Sequence, residues 1–136
     1  MLNECNAEGI FSIALMKDRY DIEYPIYEPD AELLMQLKAQ LVNKRILIFL
    51  GTWCGDSQKQ LPRFYKILDA LQLDRNLPTL ICVDEMKKDE KGLTETMGIV
   101  SVPTFIFLEN EQELGRITES PIGTLESDMV EILTKK

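Results

Sequence analysis

One short segment holds the residues best suited to chemistry: Cys54 lies in residues 52–57, whose sequence is TWCGDS. A buried strand is predicted to end just before this segment, and a long helix is predicted to begin within it. The free backbone N–H groups and the positive dipole end of a helix N-terminus favour an anion. Because the thiolate is the reactive form of cysteine, this position predicts an activated nucleophile at Cys54.

The neighbours of Cys54 are expected to tune that thiol. Ser57, three residues farther on, is placed to turn its hydroxyl toward the sulfur and to stabilise the thiolate. Asp56 acts in the opposite direction, because a carboxylate in the first turn repels a thiolate and competes for the helix dipole. Trp53 supplies a partly exposed ring beside the sulfur. We therefore expect only a modest gain in the thiolate fraction of Cys54.

The composition excludes several other chemistries. The 136 residues include no histidine, so the chain can form no Ser-His-Asp or Cys-His pair and offers no histidine metal ligand. Three cysteines are too few for a disulfide scaffold or a four-thiolate zinc site, and we expect neither a metal nor a cofactor. The 15 basic and 23 acidic residues give a net charge of −8, which disfavours nucleic acid as a partner.

Two patterns indicate where the chain resides. Residues 1–11 lack the basic start and the apolar stretch of a signal peptide. The longest apolar runs, residues 46–50 and 102–108, are far too short to span a bilayer. We therefore predict a cytoplasmic protein without membrane association, whose cysteines are thiols at rest. The sequence leaves the oligomeric state open.

A parallel pair of strands is predicted to flank the cysteine segment. Residues 45–50 (RILIFL) and 79–84 (TLICVD) are apolar without alternation, which is the pattern of strands buried on both faces of a sheet. Between them, residues 57–73 repeat apolar side chains at helical spacing, and Pro62 predicts a kink in that helix. Farther along, apolar runs on either side of residues 109–113 predict an antiparallel hairpin.

Further elements are predicted around these strands. One helix begins at the N-cap Asp30, and another spans residues 125–134. Residues 20–27 are predicted to hold a short strand, which Pro25 confines to a sheet edge or a bulge. The charged residues 84–91 are predicted to form a solvated loop or the start of a helix. The order of elements predicts one α/β domain with a mixed central sheet.

These motifs together resemble the thioredoxin family. Residues 53–57, Trp-Cys-Gly-Asp-Ser, are similar to the family's active-site pattern Trp-Cys-Gly-Pro-Cys at the start of a kinked helix. Pro62 matches the family's helix-kinking proline, and residues 98–104 resemble its Gly-Ile-x-x-x-Pro-Thr segment. The resemblance covers about residues 28–136, so residues 1–27 are interpreted as an N-terminal extension of a single thioredoxin-like domain. The Asp-Ser variant itself resembles a subgroup of bacterial thioredoxin-like proteins.

The resemblance implies a thioredoxin fold, which is a three-layer α/β/α sandwich with a mixed central sheet, and a role in cell redox homeostasis. It implies that Cys54 forms a mixed disulfide with a protein or a low-molecular-weight thiol or disulfide, while Ser57 supports the thiolate. It also implies that Pro103 is cis and faces Cys54. The residues expected to contact substrate are then Trp53, Gly55, Asp56, Val102, Pro103 and Thr104.

Departures from the family pattern bear on the mechanism. Ser57 replaces the second motif cysteine, so no disulfide can close within the motif. A mixed disulfide at Cys54 should therefore persist until another thiol arrives. Ile48 and Leu80 stand where the family carries a buried aspartate and its lysine neighbour. Residues 119–121 replace the family's substrate-binding glycine loop, which calls the usual substrate range into question.

The role of Cys82 and the class of activity both remain open. Cys82 lies near the C-terminal end of a predicted strand and is either a core cysteine or a resolving thiol from outside the motif. The domain is either an oxidoreductase or a redox-inactive module that binds peptides or proteins between Trp53 and residues 102–104. A glutathione-dependent transferase is a weaker third alternative, since the charge of −8 does not favour anionic glutathione.

Overall fold

The computed structural model has three helices after a first short strand, and strands and helices then alternate until two successive strands precede the last helix. It describes residues 4–84 and 92–134, so nearly all of the charged run at 84–91 lies outside the described residues. In chain order the elements are β1 (Glu4–Cys5), α1 (Ala7–Phe11), α2 (Ala14–Ile26), α3 (Ala31–Gln40), β2 (Arg45–Leu50), α4 (Gly55–Ala70), β3 (Thr79–Cys82), α5 (Leu93–Thr96), β4 (Thr104–Glu109), β5 (Gln112–Thr118) and α6 (Leu125–Thr134). Within the described ranges, no helix combines the length and apolar character that crossing a bilayer requires.

The strands form one mixed sheet in the order β1-β3-β2-β4-β5. β2 and β3 are parallel, with Phe49 opposite Ile81 and Leu50 opposite Cys82. β4 is antiparallel to both β2 and β5, and β1 is antiparallel to β3. The predicted parallel pair and the predicted hairpin are therefore confirmed. Because parallel strands end at the same edge of a sheet, the segments that follow Leu50 and Cys82 emerge side by side.

Alternating side chains give the sheet one core on each face. Helices α1, α2, α3, α4 and α6 contribute to the larger core, whose sheet residues are Ile46, Ile48, Leu50, Leu80, Cys82, Phe105, Phe107 and Ile117. The second core contains Leu47, Phe49, Ile81, Val83, Ile99, Val102, Ile106 and Leu108. Leu93 of α5 packs against this second core. Helices therefore lie on both faces of the sheet, which makes the chain an α/β sandwich.

The prediction of a strand within residues 20–27 is wrong. Most of these residues belong to α2, which runs to Ile26 and includes Pro25 in its last turn. Pro25 has no N–H to donate to the carbonyl of Asp21, so it removes one hydrogen bond near the C-terminal end of α2, and the helix ends one residue later. The rings of Tyr20 and Tyr24 stack with their centroids 4.8 Å apart, at the four-residue spacing of a helix face. This spacing favours a helix over the edge strand that Pro25 alone indicates.

Charged and aromatic side chains fix α2 to α4, the helix that begins at the cysteine segment. Asp69 accepts hydrogen bonds from the Tyr24 hydroxyl and from two nitrogen atoms of Arg75. The hydrogen bonds from Arg75 hold the pKa of Asp69 below its ordinary value. Burial and the hydrogen bond to Asp69 raise the pKa of Tyr24 to about 12. Nearby, Arg63 of α4 donates to the buried carboxylate of Glu23.

The predicted helix cap at Asp30 is confirmed. Its carboxylate accepts hydrogen bonds from the N–H groups of Glu32 and Leu33, in the first turn of α3. The buried carboxylate of Glu126, at the start of α6, accepts from the Asp30 N–H at 2.8 Å and from the Tyr27 hydroxyl. The first turns of α3 and α6 are thereby joined.

Asp69→Asn should lower the free energy of unfolding by about 1–2 kcal/mol at pH 7, because charge-assisted hydrogen bonds to Arg75 and Tyr24 are weakened. The folded-state pKa of Asp69 lies below its ordinary value of 3.8. Its contribution is therefore complete above that ordinary value and is lost as the pH falls through the folded value. Urea denaturation at a series of pH values measures both effects. Asp21→Asn removes only an exposed ion pair with Lys17 and should cost less than about 0.5 kcal/mol, so an equal loss in both variants would contradict the prediction.

Candidate functional site

Cys54 stands at the N-cap of α4. The helix begins at Gly55, two residues earlier than the sequence predicts, and Cys54 has extended backbone angles of φ −91° and ψ 125°. Its carbonyl accepts from the Gln58 N–H at 2.9 Å, and its own N–H donates to the Gly51 carbonyl at 2.9 Å. The Cys54 side chain therefore projects from the first turn of the helix, where the backbone N–H groups have no intrahelical partner.

The sulfur of Cys54 faces the loop that precedes β4. Cys54 Sγ donates to the carbonyl of Val102 at 3.4 Å, and the peptide bond between Val102 and Pro103 is cis. The cysteine is half-buried and packs against the second core. The Thr104 hydroxyl donates to the carbonyl of Ser101 at 2.6 Å, which ties this loop to the start of β4. Two segments that are 48 residues apart in sequence therefore meet at one thiol.

The indole of Trp53 is fixed at the edge of the sheet. Its Nε1 donates to the carbonyl of Val83 at 3.0 Å, directly after β3, and its ring lies against Gly51. A β-carbon at Gly51 would come within 2.5 Å of Trp53 Cε2, so glycine is required for this approach. The tryptophan is 36% exposed. It therefore presents a fixed aromatic surface to solvent, one residue before Cys54 in the sequence.

Ser57 does not make the contact that the sequence suggests. Its side chain is buried, and its Oγ accepts a hydrogen bond from the Gly51 N–H at 3.1 Å. In the described part of the chain no hydrogen bond joins Ser57 Oγ to the Cys54 sulfur, whose thiol donates to Val102 instead. The serine hydroxyl thus satisfies a buried backbone donor at the end of β2.

The other residues predicted to contact substrate fall into two groups. Gly55 and Asp56 are exposed at the first turn of α4. The side chains of Val102, Pro103 and Thr104 are buried. A ligand that approaches this loop would therefore meet its backbone rather than its side chains.

Cys82 and Cys54 pack in different cores. Cys82 is buried in the larger core, whereas Cys54 contacts the second core on the opposite face of the sheet. Successive residues of a strand alternate between faces, so Cys82 points away from the side that Cys54 contacts. The placement favours the interpretation of Cys82 as a core residue.

The site offers a thiol nucleophile, a backbone carbonyl that accepts its proton in a hydrogen bond, and an exposed indole. Across the ranges 4–84 and 92–134, no three His, Cys, Asp or Glu side chains are grouped as a metal ion would require. What the arrangement can do chemically therefore depends on Cys54.

Comparison of the chain with known proteins assigns it to a protein family. A thioredoxin family model, Thioredoxin_9, matches residues 15–131. The chain belongs to the thioredoxin family. A thioredoxin from Malassezia sympodialis is 28% identical over 82 residues, which cover 60% of this chain and 74% of that protein. The crystal structure of a protein of unknown function from Pseudomonas aeruginosa shares the fold, with a TM-score of 0.56, 16% identity and coverage of 95% of this chain and 97% of that one.

The predicted thioredoxin fold is confirmed by this match. The matched residues begin at position 15, inside α2. Part of the segment interpreted from the sequence as an N-terminal extension, residues 1–27, therefore lies within the family match.

Sequence reasoning missed several groups that build this thioredoxin-family site. Gly51 accommodates the indole, the Val83 carbonyl anchors it, and Gln58 Nε2 donates to the Thr52 carbonyl at 2.9 Å. For Gly51 a signal was available, because a glycine directly after a buried strand marks a close approach of the backbone. No comparable signal exists for Gln58 or for the Val83 carbonyl, since their partners depend on the path of the turn.

Gly51→Ala should displace the indole of this thioredoxin-family protein and destabilise the fold by about 1–3 kcal/mol, because the new methyl group overlaps the Trp53 ring. The chain contains one tryptophan, so intrinsic fluorescence reports Trp53 alone. We expect a shift of its emission maximum toward that of a solvent-exposed indole. Gly55→Ala is the matched control, because a β-carbon there meets no atom within 4 Å. An unchanged spectrum in Gly51→Ala would show that the indole does not depend on this glycine.

Proposed function

We propose that this thioredoxin-family protein is a monothiol thiol–disulfide oxidoreductase that acts through Cys54 and contributes to cell redox homeostasis. The observation that carries the proposal is the half-buried thiol at the N-cap of α4, directed at the carbonyl of Val102 beside the cis Pro103. A thiol in this position is accessible and lies at the first turn of a helix. It also lies beside a loop that offers backbone contacts.

The proposed reaction is a thiol–disulfide exchange. Cys54 releases its proton to solvent, and its thiolate attacks one sulfur of a substrate R–S–S–R′. A bond forms between Cys54 Sγ and the R sulfur, the substrate S–S bond breaks, and R′–S⁻ leaves with the electron pair and takes up a proton. A second thiol, R″–SH, then attacks the R sulfur and releases Cys54. In sum, R–S–S–R′ and R″–SH give R–S–S–R″ and R′–SH.

Each neighbour of the thiol has a separate role in this proposal. Ser57 supports the reactive thiol indirectly, because its bond to Gly51 holds the turn that carries the cysteine. Trp53 and the backbone of residues 102–104 bind the substrate around the sulfur. Gly55 leaves the approach open, and Asp56 places a negative charge at the first turn, beside that approach.

The mixed disulfide is proposed to be long-lived. With serine at position 57, the motif supplies no second thiol at high effective concentration. Cys82 packs on the other face of the sheet, so we assign it to the core rather than to resolution of the intermediate. The rate of release therefore depends on the concentration and nucleophilicity of an external thiol.

A redox-inactive module that binds peptides or proteins is the second candidate. It is favoured by apolar exposure at the site, where Trp53 is 36% exposed and Val100 is 75% exposed. Exposed apolar side chains supply the contact area that such a module needs. Both functions would use the same surface, so they differ in whether binding needs the Cys54 sulfur.

We further propose a cytoplasmic location, with proteins or low-molecular-weight thiols and disulfides as substrates. A reducing compartment would supply the external thiol that the mechanism needs. The net charge of −8 supports a protein without nucleic-acid partners.

Capture from a cytoplasmic extract tests the role of the sulfur. The wild-type protein should retain partners that are released by a thiol reductant, and Cys54→Ala should retain essentially none of them. Non-reducing electrophoresis followed by mass spectrometry of the released proteins makes the measurement. Cys82→Ala is the matched control and should capture the same partners as the wild type. Partners that Cys54→Ala retains and that reductant does not release would contradict the exchange mechanism and support the binding module.

Turnover of insulin disulfides with thioredoxin reductase tests the absence of an internal resolving thiol. We expect a rate at least about tenfold below that of a dithiol thioredoxin, because the second step lacks an intramolecular nucleophile. The precipitation of reduced insulin gives the rate. Rapid turnover that falls in Cys82→Ala would show that Cys82 resolves the mixed disulfide, contrary to its assignment to the core.

A further inference from the structure

The position of the acceptor for the Cys54 thiol depends on how one loop is held. Residues 97–102 connect α5 to Pro103, and Ile99 and Val102 of this loop are buried in the second core. The carbonyl that receives the thiol belongs to Val102, near the end of the loop. A displacement of the loop would therefore move the acceptor away from the sulfur.

The two ends of this loop are tied to the sheet by different means. At its C-terminal end, Thr104 begins β4 and pairs with Thr118 of β5. At its N-terminal end, Arg116 Nη2 donates to the carbonyl of Met97 at 3.1 Å. Among the hydrogen bonds of the described residues, this is the one that joins residues 97–100 to the sheet.

The guanidinium of Arg116 is itself held in a fixed orientation. Arg116 lies on β5 opposite Ile106, and so on the face of the sheet that carries the second core. Glu113 accepts from Arg116 Nε at 2.8 Å and from Nη2 at 2.7 Å, and this pairing keeps the pKa of Glu113 below its ordinary value. Met97 is the C-cap of α5, where carbonyl groups lack intrahelical donors and a cation is favourable.

We propose that Arg116 is a positioning residue for Cys54: by holding Met97, it keeps the Val102 carbonyl within reach of the thiol. The inference rests on the proposed role of Cys54 as the reacting group. A hydrogen bond to Val102 stabilises the protonated thiol, so loss of the acceptor shifts the balance toward the thiolate. Loosening the loop should therefore make Cys54 react faster near neutral pH.

The test is the rate at which iodoacetamide alkylates Cys54 in the folded protein, followed from pH 6 to pH 10 by peptide mass spectrometry. In Arg116→Gln we expect the pH–rate profile to move to lower pH, with a rate at pH 7 about threefold above that of the wild type. Arg45→Gln is the matched control, because it removes another strand-borne pair, with Glu111, whose hydrogen bonds among the described residues do not include the loop. Its profile should coincide with that of the wild type.

A second variant separates positioning from charge. Loss of the positive charge in Arg116→Gln would by itself disfavour the thiolate and move the profile to higher pH. Glu113→Gln frees Arg116 and removes a negative charge, so both effects move its profile to lower pH. Positioning therefore predicts shifts in the same direction for both variants, whereas charge alone predicts opposite directions.

A third variant covers the case in which Arg116→Gln does not fold. Arg116→Lys keeps the charge but cannot hold both carboxylate oxygens and the Met97 carbonyl with a planar fork, so its profile should also move to lower pH.

Opposite shifts in Arg116→Gln and Glu113→Gln, unchanged profiles, or an equal shift in Arg45→Gln would overturn the proposal. Alkylation needs no partner or disulfide substrate, so a failure of the capture experiment does not decide this one.

Discussion

The junction between β2 and α4 has to satisfy its own backbone groups while it leaves one sulfur accessible. The Gly51 N–H donates to Ser57, the Gly51 carbonyl accepts from the Cys54 N–H, and the Thr52 carbonyl accepts from Gln58. An unpaired polar group at the buried end of a strand would cost about 1–3 kcal/mol. These bonds close within residues 51–58, so the turn keeps its shape without a bond to the thiol. The thiol is consequently left to interact with a different part of the chain.

That different part is held by the second core. Ile99 and Val102 are buried there together with Phe49 and Ile81 of the parallel strands, and Cys54 packs against the same cluster. Close-packed cores transmit displacements rather than absorbing them. The packing between the sheet and the loop therefore contributes to the distance between the thiol and the Val102 carbonyl. The larger helical layer on the other face supports the sheet, and its helix α4 carries the thiol at its N-cap.

Local patterns were enough to predict the framework but not the contacts across it. The strand at Arg45–Leu50, the helix at Leu125–Thr134 and the Asp30 cap could be predicted, because each depends on neighbours in sequence. Residues 20–27 were misjudged, because the anchoring of α2 to α4 outweighs the signal of one proline. The partner of Ser57 was also misjudged, because its oxygen accepts from the N–H of Gly51, six residues earlier, and the path of the turn decides that contact.

Arg116 shows why some contacts leave no sequence signal. A charged residue in a strand is expected to face solvent, and its contact with Met97 depends on the placement of α5 against β5. Strand alternation alone cannot reveal whether an arginine on the face that carries the second core reaches the end of a helix.

The apolar residues packed near residues 53–57 are compatible with the proposed mechanism, in which a single cysteine reacts. Ile48 and Leu80, which stand where the thioredoxin pattern has a buried aspartate and its lysine, are packed in the larger core. A core without a carboxylate there has no group to accept a proton from a nucleophile at position 57. Ser57 needs no such group, because its oxygen acts as a hydrogen-bond acceptor for Gly51. An oxygen accepts a hydrogen bond from a backbone N–H better than a sulfur does. The three replacements are therefore consistent with one another and with the proposed monothiol mechanism, in which the second position of the motif stabilises the turn.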